Sequence, residues 1–436
     1  MNTTSEHVIR TILVGQSGGP TAAINASLAG VIRAAHAQGL RVLGMRNGIQ
    51  GFLEGGVVDL VEALELEVFN QNEVNPGEKN LQLLRKTPSS WLGSCRFKLP
   101  ELEPNPATYS SSEPADVSPI YQQIDAQLKK YQVDAVLYIG GNDSMDTTDK
   151  LSRYFDQIES HVRVVGVPKT IDNDLEGTDH TPGFGSAARF VASVTAELIR
   201  DGGVYNSKNV TFIEAMGRDA GWLTAAGALA QDICGTAPDF VLLPEIPLDE
   251  HALLSAIEQR LREKNNVIVV VSEGVHHADG SFLFDAKSVS IDTFGHLAAQ
   301  SGTAQYLSQL AKEQLDVKSR GIELNTLQRC ASHAASKVDL DEAEALGAAG
   351  VEAVLQGKTG VMVGVHRTSD APYTTEIRTP PVADVANKVK LVPREMISKD
   401  GFNVTDSALT YLRPLVAGIE EPISTGGLPR FLAELS

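Results

Sequence analysis

Cysteines are few in this sequence, and so are long apolar runs. Cys95, Cys234 and Cys330 are the three cysteines among 436 residues, and no two of them form a CxxC pair. A disulfide framework or a structural zinc site is therefore not expected, and a reducing cytoplasm is the default location. No stretch approaches the roughly 20 apolar residues of a membrane span, and the N-terminus shows no small-residue cleavage site. The sequence predicts a soluble, cytoplasmic protein that does not bind membranes.

Basic residues are also in deficit. The chain has 37 Lys and Arg against 55 Asp and Glu, which gives a formal net charge of −18. Nucleic-acid binding needs a basic face to neutralise phosphates, so nucleic acid is not an expected partner. A local group of cations could still hold a small anionic ligand. The 42% hydrophobic content is that of an ordinary globular protein, and the length predicts two or three domains.

Short β-branched runs alternate with longer segments of helical period. Strands are predicted at 8–14, 41–45, 134–139, 163–167, 209–215, 239–243, 266–271 and 359–365. Helices are predicted at 119–131, 185–200, 220–231, 250–264, 302–313 and 331–346. Most strand runs are continuously apolar, as in parallel sheets covered on both faces. The pattern predicts an α/β protein with two doubly wound, mostly parallel sheets, whereas 70–100 and 101–118 are expected to be irregular.

Two glycine-rich motifs follow predicted strands, where α/β sheets bind their ligands. In VGQSGGPTAAIN, residues 14–25, Gly18 and Gly19 permit close approach of backbone N–H groups to an anion. In YIGGNDSMDT, residues 138–147, two glycines are followed by Asn142, Asp143 and Ser144. Taken alone, the first motif is equally consistent with a plain strand-to-helix turn, and the second with a helix N-cap.

The segment VPKTIDNDLEGTDHTPGFGSA, residues 167–187, carries the strongest signal. Lys169 and four acidic residues lie within it, and Asp172 and Asp174 are two positions apart. Magnesium typically takes one or two carboxylates together with phosphate oxygens and waters. A carboxylate near a sugar hydroxyl can also accept its proton. We therefore predict a phosphate–magnesium site here, with an acidic surface loop as the alternative.

Three weaker motifs also contain candidate ligands. They are EAMGRDAGWL with Arg218, VVVSEGV with Glu273, and SRGIELNTLQR with Arg320 and Arg329. Each is equally consistent with a structural role when taken alone. Arg218, for example, could pair with a neighbouring acidic residue, either Glu214 or Asp219.

In this order, the motifs resemble the phosphofructokinase family and, within it, the branch that uses pyrophosphate. The resemblance extends from residue 14 to about residue 365, and TIDND at 170–174 is its most specific part. It implies two doubly wound lobes with the active site in the cleft between them. A phosphoryl-donor lobe is expected at 1–183 plus about 329–385, and a sugar-phosphate lobe at 184–328 plus about 386–436. The implied reaction is reversible, magnesium-dependent phosphoryl transfer from pyrophosphate to the 1-hydroxyl of fructose 6-phosphate, in a homo-oligomer (a dimer or tetramer).

The resemblance also implies residue roles. Asp172 matches the catalytic base, Thr170 and Asp174 match neighbours that orient the phosphoryl group and the magnesium ion, and Lys169 completes the catalytic group. The donor-binding residues are expected to be Gly19, Arg96, Asp143 and Lys169. Besides Thr170 and Asp172, the sugar phosphate is expected to contact Met216, Gly217, Arg218, Glu273, Arg320 from a neighbouring subunit, Thr326 and Arg329.

Departures from the family pattern bear on the donor and the metal. Asn142 stands where ATP-using members have an aspartate linked to magnesium, so its part in metal binding is open, and Asp143 is a further candidate ligand. Asp143 and Lys169 both stand where ATP-using members have glycine. The side chain of Asp143 would clash with the α-phosphate of ATP and repel its charge. Lys169 adds a cation that could hold the more compact pyrophosphate, so both residues favour pyrophosphate as the donor. An ATP-dependent phosphofructokinase and a non-catalytic sugar-phosphate sensor remain the alternatives.

Overall fold

Two separate sheets organise the chain in the computed structural model, which describes residues 8–67, 75–102, 119–283 and 302–435. The strands are β1 (Thr11–Gln16), β2 (Arg41–Met45), β3 (Val57–Asp59), β4 (Ala135–Gly140), β5 (Arg163–Pro168), β6 (Asn209–Ala215), β7 (Phe240–Leu242), β8 (Asn266–Ser272), β9 (Lys318–Glu323), β10 (Val361–Met362), β11 (Gly364–Asp370), β12 (Tyr373–Arg378), β13 (Ser424–Thr425) and β14 (Leu428–Pro429).

The helices connect these strands and cover the sheets. They are α1 (Ile24–Ala37), α2 (Gly48–Leu53), α3 (Leu60–Ala63), α4 (Pro76–Lys86), α5 (Pro119–Tyr131), α6 (Asn142–Gln157), α7 (Phe184–Gly202), α8 (Trp222–Ala226), α9 (Ala230–Cys234), α10 (Glu250–Glu263), α11 (Thr303–Leu315), α12 (Leu327–Cys330), α13 (Lys337–Leu355) and α14 (Asp406–Leu412). No helix within the described ranges is both long enough and apolar enough to span a bilayer.

The larger sheet has the strand order β10-β5-β4-β1-β2-β3, and the smaller sheet has the order β7-β8-β6-β9. Within these two sheets, all neighbouring strands are parallel except β3, which runs antiparallel to β2. Two further pairs, β11–β12 and β13–β14, are antiparallel. Strands β1 and β4 are buried along their whole length, as predicted from their continuous apolar runs. The α/β class with two mostly parallel sheets is therefore confirmed.

The helices α1 and α13 pack closely against each other because glycines lie at their contact. A methyl group added to Gly30 would lie 2.0 Å from the carbonyl oxygen of Glu344, and one added to Gly347 would lie 2.1 Å from that of Ser27. No side chain fits at such distances. This contact brings residues of the later part of the chain onto the sheet formed mainly by its first 168 residues.

Most predicted elements are present, with four differences. The strand predicted at 359–365 is divided into β10 and the start of the β11–β12 hairpin. The helix predicted at 220–231 is interrupted by a short 3-10 helix at Gly227–Leu229. The helix predicted at 331–346 is α13, which begins at Lys337, six residues later than predicted, and extends to Leu355. The prediction that 70–100 is irregular is wrong, since α4 lies within it and Asn75 caps its first turn. Most of 101–118 lies outside the described residues, and the division into lobes remains a prediction.

Candidate active site

Lys169 follows β5 and is buried against the glycine loop that follows β1. Its ammonium donates a 2.6 Å hydrogen bond to the carbonyl of Gly19, and a methyl group added to Gly18 would lie 3.3 Å from Nζ. Burial lowers the pKa of Lys169 to about 8, although Asp172 and Asp174 act in the opposite direction. Lys169 and the glycine loop, which are 150 positions apart in the sequence, therefore form one cationic, glycine-lined surface.

Thr170 orients the candidate base. Its hydroxyl donates to Oδ2 of Asp172 at 3.1 Å and accepts from the Asp172 backbone N–H at 3.1 Å. Asn173, which follows Asp172, has a backbone φ of 57° in the left-handed region, which asparagine tolerates better than most residues. Its side chain accepts from the N–H of Thr181 and donates to the hydroxyl of Tyr411. The turn that carries Asp172 and Asp174 is thus held at its centre.

Burial raises the pKa of three carboxyl groups at this site, and the charge of Asp172 adds to the rise in the other two. Burial raises the pKa of Asp172, while its hydrogen bond from Thr170 and the charge of Lys169 oppose the rise. Burial and the charge of Asp172 raise the pKa of Asp174 to about 7, and the same two causes raise the pKa of Glu273 to about 7. Carboxyl groups poised in this way are typical of sites that move a proton or bind a cation.

The opposite wall is built from the segments that follow β6 and β8. The N–H of Gly217 donates to Oε1 of Glu273 at 3.3 Å, and Ser272 donates to the carbonyl of Gly217 at 2.6 Å. The charge of Arg218 lowers the pKa of both Asp172 and Glu273. These contacts bring the predicted sugar-binding residues Gly217, Arg218 and Glu273 to the candidate base.

Two neighbours of this wall have mainly structural contacts. Glu214 accepts from the N–H groups of Gly302 and Ala304 at the start of α11, so its carboxylate is engaged there and not with Arg218. Met216 is half-buried and packs against the apolar cluster around α8.

Arg329, in α12, lies beside the same glycine loop. A methyl group added to Gly19 would be 3.4 Å from its Nη1, and its charge lowers the pKa of Lys169. Thr326 is exposed immediately before α12, and its carbonyl accepts from the N–H of Arg329 at 3.1 Å. Arg329 is therefore in reach of this glycine loop, a position that the sequence motif does not indicate.

Arg96 and Arg320 occupy very different places. Ser94 donates to the carbonyl of Gly18 at 2.7 Å, so exposed Arg96 belongs to a segment anchored on the glycine loop that follows β1. Arg320 is exposed near the start of β9, paired in register with Thr211. It lines a cavity of about 700 Å³ together with Asn209, and none of the other site residues lines that cavity.

The GGNDS segment lies next to the Lys169 loop. A methyl group added to Gly141 would be 3.6 Å from the carbonyl oxygen of Lys169. Asp143 is half-buried in the first turn of α6. Both polar atoms of the Asn142 amide contact the backbone elsewhere, since Nδ2 donates to the carbonyl of Lys388 at 2.5 Å and Oδ1 accepts from the N–H of Asn387 at 2.6 Å.

Two residues that no sequence motif indicates, Lys390 and Tyr411, support the turn from behind. The ammonium of Lys390 donates to the carbonyl of Asp179 at 2.6 Å and to that of Thr178 at 3.2 Å. The hydroxyl of Tyr411 also donates to the Asp179 carbonyl, at 2.8 Å. Both belong to a turn-rich C-terminal part without a recognisable motif, so no local signal could have revealed them.

The donor set suits magnesium held partly by its substrate. The part of the chain that the structure describes contains no group of three or more His, Cys, Asp or Glu that could enclose a metal ion. Magnesium, however, is commonly held by one or two carboxylates plus phosphate oxygens. Burial and the charge of Asp172 raise the pKa of Asp174. A divalent cation nearby would stabilise both carboxylates in their charged form, so Asp172 and Asp174 fit a magnesium ion.

Comparisons with known proteins identify the family of this chain. Residues 11–354 match the family model described as phosphofructokinase. A Xanthomonas campestris protein named pyrophosphate–fructose 6-phosphate 1-phosphotransferase is 39% identical over 97% of this chain and 95% of its own length. One of the same name from Methylococcus capsulatus is 38% identical over 97% and 95%. The crystal structure of a pyrophosphate-dependent phosphofructokinase from Nitrosospira multiformis is 34% identical, covers 97% of this chain and 96% of its own, and has a TM-score of 0.81. This chain belongs to the phosphofructokinase family.

Proposed function

We propose that this protein transfers a phosphoryl group reversibly from pyrophosphate to the 1-hydroxyl of fructose 6-phosphate, giving fructose 1,6-bisphosphate and phosphate. One observation carries the proposal. The buried ammonium of Lys169 lies on the donor glycine loop, one residue before the Thr170 hydroxyl that orients Asp172. A cation for a compact donor and a base for a sugar hydroxyl are thus next to each other.

In the proposed reaction, Asp172 removes the proton of the 1-hydroxyl as its oxygen attacks the terminal phosphorus of pyrophosphate. The bond from that phosphorus to the bridging oxygen breaks, and phosphate leaves. Lys169, Gly19 and Arg96 hold the donor, and Thr170 keeps the carboxylate of Asp172 aligned. Positioning and charge stabilisation supply most of the catalysis in phosphoryl transfer, which agrees with a site built from fixed cations and main-chain donors.

We assign magnesium binding to Asp174, with Asp143 as a second candidate. Bound magnesium would neutralise negative charge on the donor phosphates. The acceptor sugar is assigned to Met216, Gly217, Arg218 and Glu273, of which Glu273 would accept from sugar hydroxyls. Its 6-phosphate is assigned to Arg329, to Thr326, and to Arg320 of a neighbouring subunit in a homo-oligomer. Cytoplasmic location, and a donor lobe and a sugar lobe with the boundaries given above, belong to the same proposal.

A donor comparison tests the proposal. Formation of fructose 1,6-bisphosphate is measured with magnesium and either pyrophosphate or ATP, for the wild type and for Asp143→Gly and Lys169→Gly. We expect the wild type to use pyrophosphate, Asp143→Gly to gain activity with ATP, and Lys169→Gly to lose activity with pyrophosphate. Because both residues act on one pocket, the effects in the double variant should not simply add.

Two results would replace the proposal. A wild type that prefers ATP would make this an ATP-dependent phosphofructokinase. A wild type that binds fructose 6-phosphate without turnover of either donor would make it a sugar-phosphate sensor.

A further inference from the structure

Residues 387–392, here called the strap, run past the catalytic turn and connect elements of both sheets. At one end, the N–H of Asn387 and the carbonyl of Lys388 bond to the side chain of Asn142, at the start of α6. The side chain of Asn387 also donates to Oδ1 of Asp146, one turn further along α6, at 2.9 Å. The strap is therefore attached to the helix that carries Asp143.

The middle of the strap bonds to the turn that carries the candidate base and metal ligand. The backbone N–H of Lys390 donates to the carbonyl of Asp174 at 2.8 Å. The Lys390 ammonium reaches past it to the carbonyls of Thr178 and Asp179. One residue of the strap thus holds the backbone of the turn at both of its ends.

The far end of the strap bonds to the sugar side of the site. The Trp222 indole N–H donates to the carbonyl of Lys390 at 3.0 Å. A single oxygen, Oε1 of Glu245, accepts from the N–H of Val392 and from the N–H of Gly221, both at 2.9 Å. Gly221 and Trp222 lie three and four residues after Arg218 in the chain.

We propose that Asn142 is a positioning residue that fastens the strap, and that it is not a ligand of magnesium. Through the strap it sets the place of the Asp172–Asp174 turn relative to Asp143 and to the sugar side. This inference rests on the proposed function for the consequence that it has for catalysis. The tether itself rests on the contacts alone.

The chemistry of the amide explains why asparagine serves here. The strap offers Asn142 one N–H and one carbonyl, so the side chain must accept one hydrogen bond and donate another. An asparagine amide does both, whereas an ionised aspartate only accepts. An aspartate at this position would lose the bond to Lys388 and place its charge against that carbonyl. The same substitution would strengthen a magnesium ligand, so Asn142→Asp separates the two roles.

The main measurement is tryptic cleavage after Lys388 in the full chain without magnesium, quantified by mass spectrometry. Cleavage of exposed but tethered backbone requires local opening. Losing one hydrogen bond should raise the open population and the cleavage rate about two- to tenfold. We expect this for Asn142→Asp and also for Asn142→Ala, which removes both bonds without adding charge. Asn265→Asp is the matched control, since it adds the same charge and breaks a surface hydrogen bond with Asn206, and its cleavage should equal that of the wild type.

The second measurement is the magnesium concentration that gives half-maximal activity. Asn142→Asp should lower kcat about tenfold, because misplaced catalytic groups lose rate steeply, and it should not lower the magnesium requirement. A lowered requirement, or wild-type cleavage after Lys388 in both Asn142 variants, would overturn the inference. If the wild type transfers no phosphoryl group, the proposed function fails, and the cleavage rates still decide whether Asn142 fastens the strap.

Discussion

Asp172 combines burial, a fixed hydrogen bond and a nearby cation. Thr170 donates to its carboxylate, Lys169 and Arg218 lower its pKa, and burial raises it further than they lower it. A carboxylate in this environment is a better base than one in water, since a higher pKa strengthens its hold on a proton. It is nevertheless close enough to cations to ionise.

Asp172→Ser should lower kcat by about 10²–10⁴, the usual contribution of general base catalysis. The KM for fructose 6-phosphate should change little by comparison, because the ground-state contacts with the sugar come from other residues. Steady-state kinetics with pyrophosphate provide the measurement. Asp156→Ser, at an exposed site near the end of α6, is the control. A kcat close to that of the wild type would exclude Asp172 as the base.

The contact between α1 and α13 depends on two glycines that leave no space for a side chain. Gly30→Ala should destabilise the protein by about 2 kcal/mol or more, since the added methyl group would force the helices apart. Gly350→Ala, in α13, is a matched control. There the added methyl group would meet side-chain methyls of Val167 and Leu137 at 3.2 and 3.4 Å, and not backbone, and alanine favours helix. Chemical denaturation measures both variants, and equal stabilities would contradict this explanation of the contact.

Behind the turn that carries Asp172 and Asp174, His180 is buried between two carboxylates. Its ring nitrogens lie 2.8 Å from Asp179 and 2.6 Å from Glu342, and Arg367 also pairs with Asp179. Hydrogen bonds to the two carboxylates and their charges raise the pKa of His180 above 6.5, against the effect of burial. The protonated histidine therefore stabilises the fold fully below pH 6.5, and this contribution is lost as the pH rises through the higher pKa of the folded state.

His180→Gln tests this pH dependence. The variant should lose about 3 kcal/mol of stability at about pH 6, where a buried ion pair is broken. The difference from the wild type should shrink as the pH rises, because the wild type then loses its own charged histidine. Urea denaturation at several pH values gives the free energies of unfolding. A difference that is independent of pH would show that His180 contributes by packing alone.

Arg320 lines a cavity that Asp172 does not line within one chain, so a role in sugar-phosphate binding requires that it reach the site of a second subunit. If it reaches a neighbouring subunit, Asp172→Ser and Arg320→Ala subunits should complement each other. Each mixed dimer would contain one site with both wild-type residues and one with neither. Activity at low fructose 6-phosphate should therefore rise when the two variants are co-expressed and purified as a mixed oligomer. No gain over the separate variants would place Arg320 in its own subunit or outside the site.

The order of strands and motifs allowed the fold to be predicted and the residues of the candidate site to be proposed. The continuous apolar runs at β4 and β8 and the glycines that follow β1 and β4 are local features, readable from neighbouring residues. Thr170 and Asp172 are close in sequence, so their hydrogen bond was within reach of a local argument. The polar strand β9 escaped prediction because it lacks an apolar run, whereas β10 and the start of β11 lie within one predicted strand.

Local residue patterns were enough to predict the α/β class and to propose a phosphate-binding edge, because burial of apolar runs and the conformational freedom of glycine act over a few residues. Only the folded chain brings Asn142 to Asn387, Lys169 to Gly19 and Arg329 to the same loop. Those contacts join residues far apart in sequence, and no local pattern indicates a partner that distant. The supports of the turn that carries Asp172 and Asp174 were decided by tertiary packing, since the backbone carbonyls of Thr178 and Asp179 accept from Lys390 and Tyr411 in the C-terminal part of the chain.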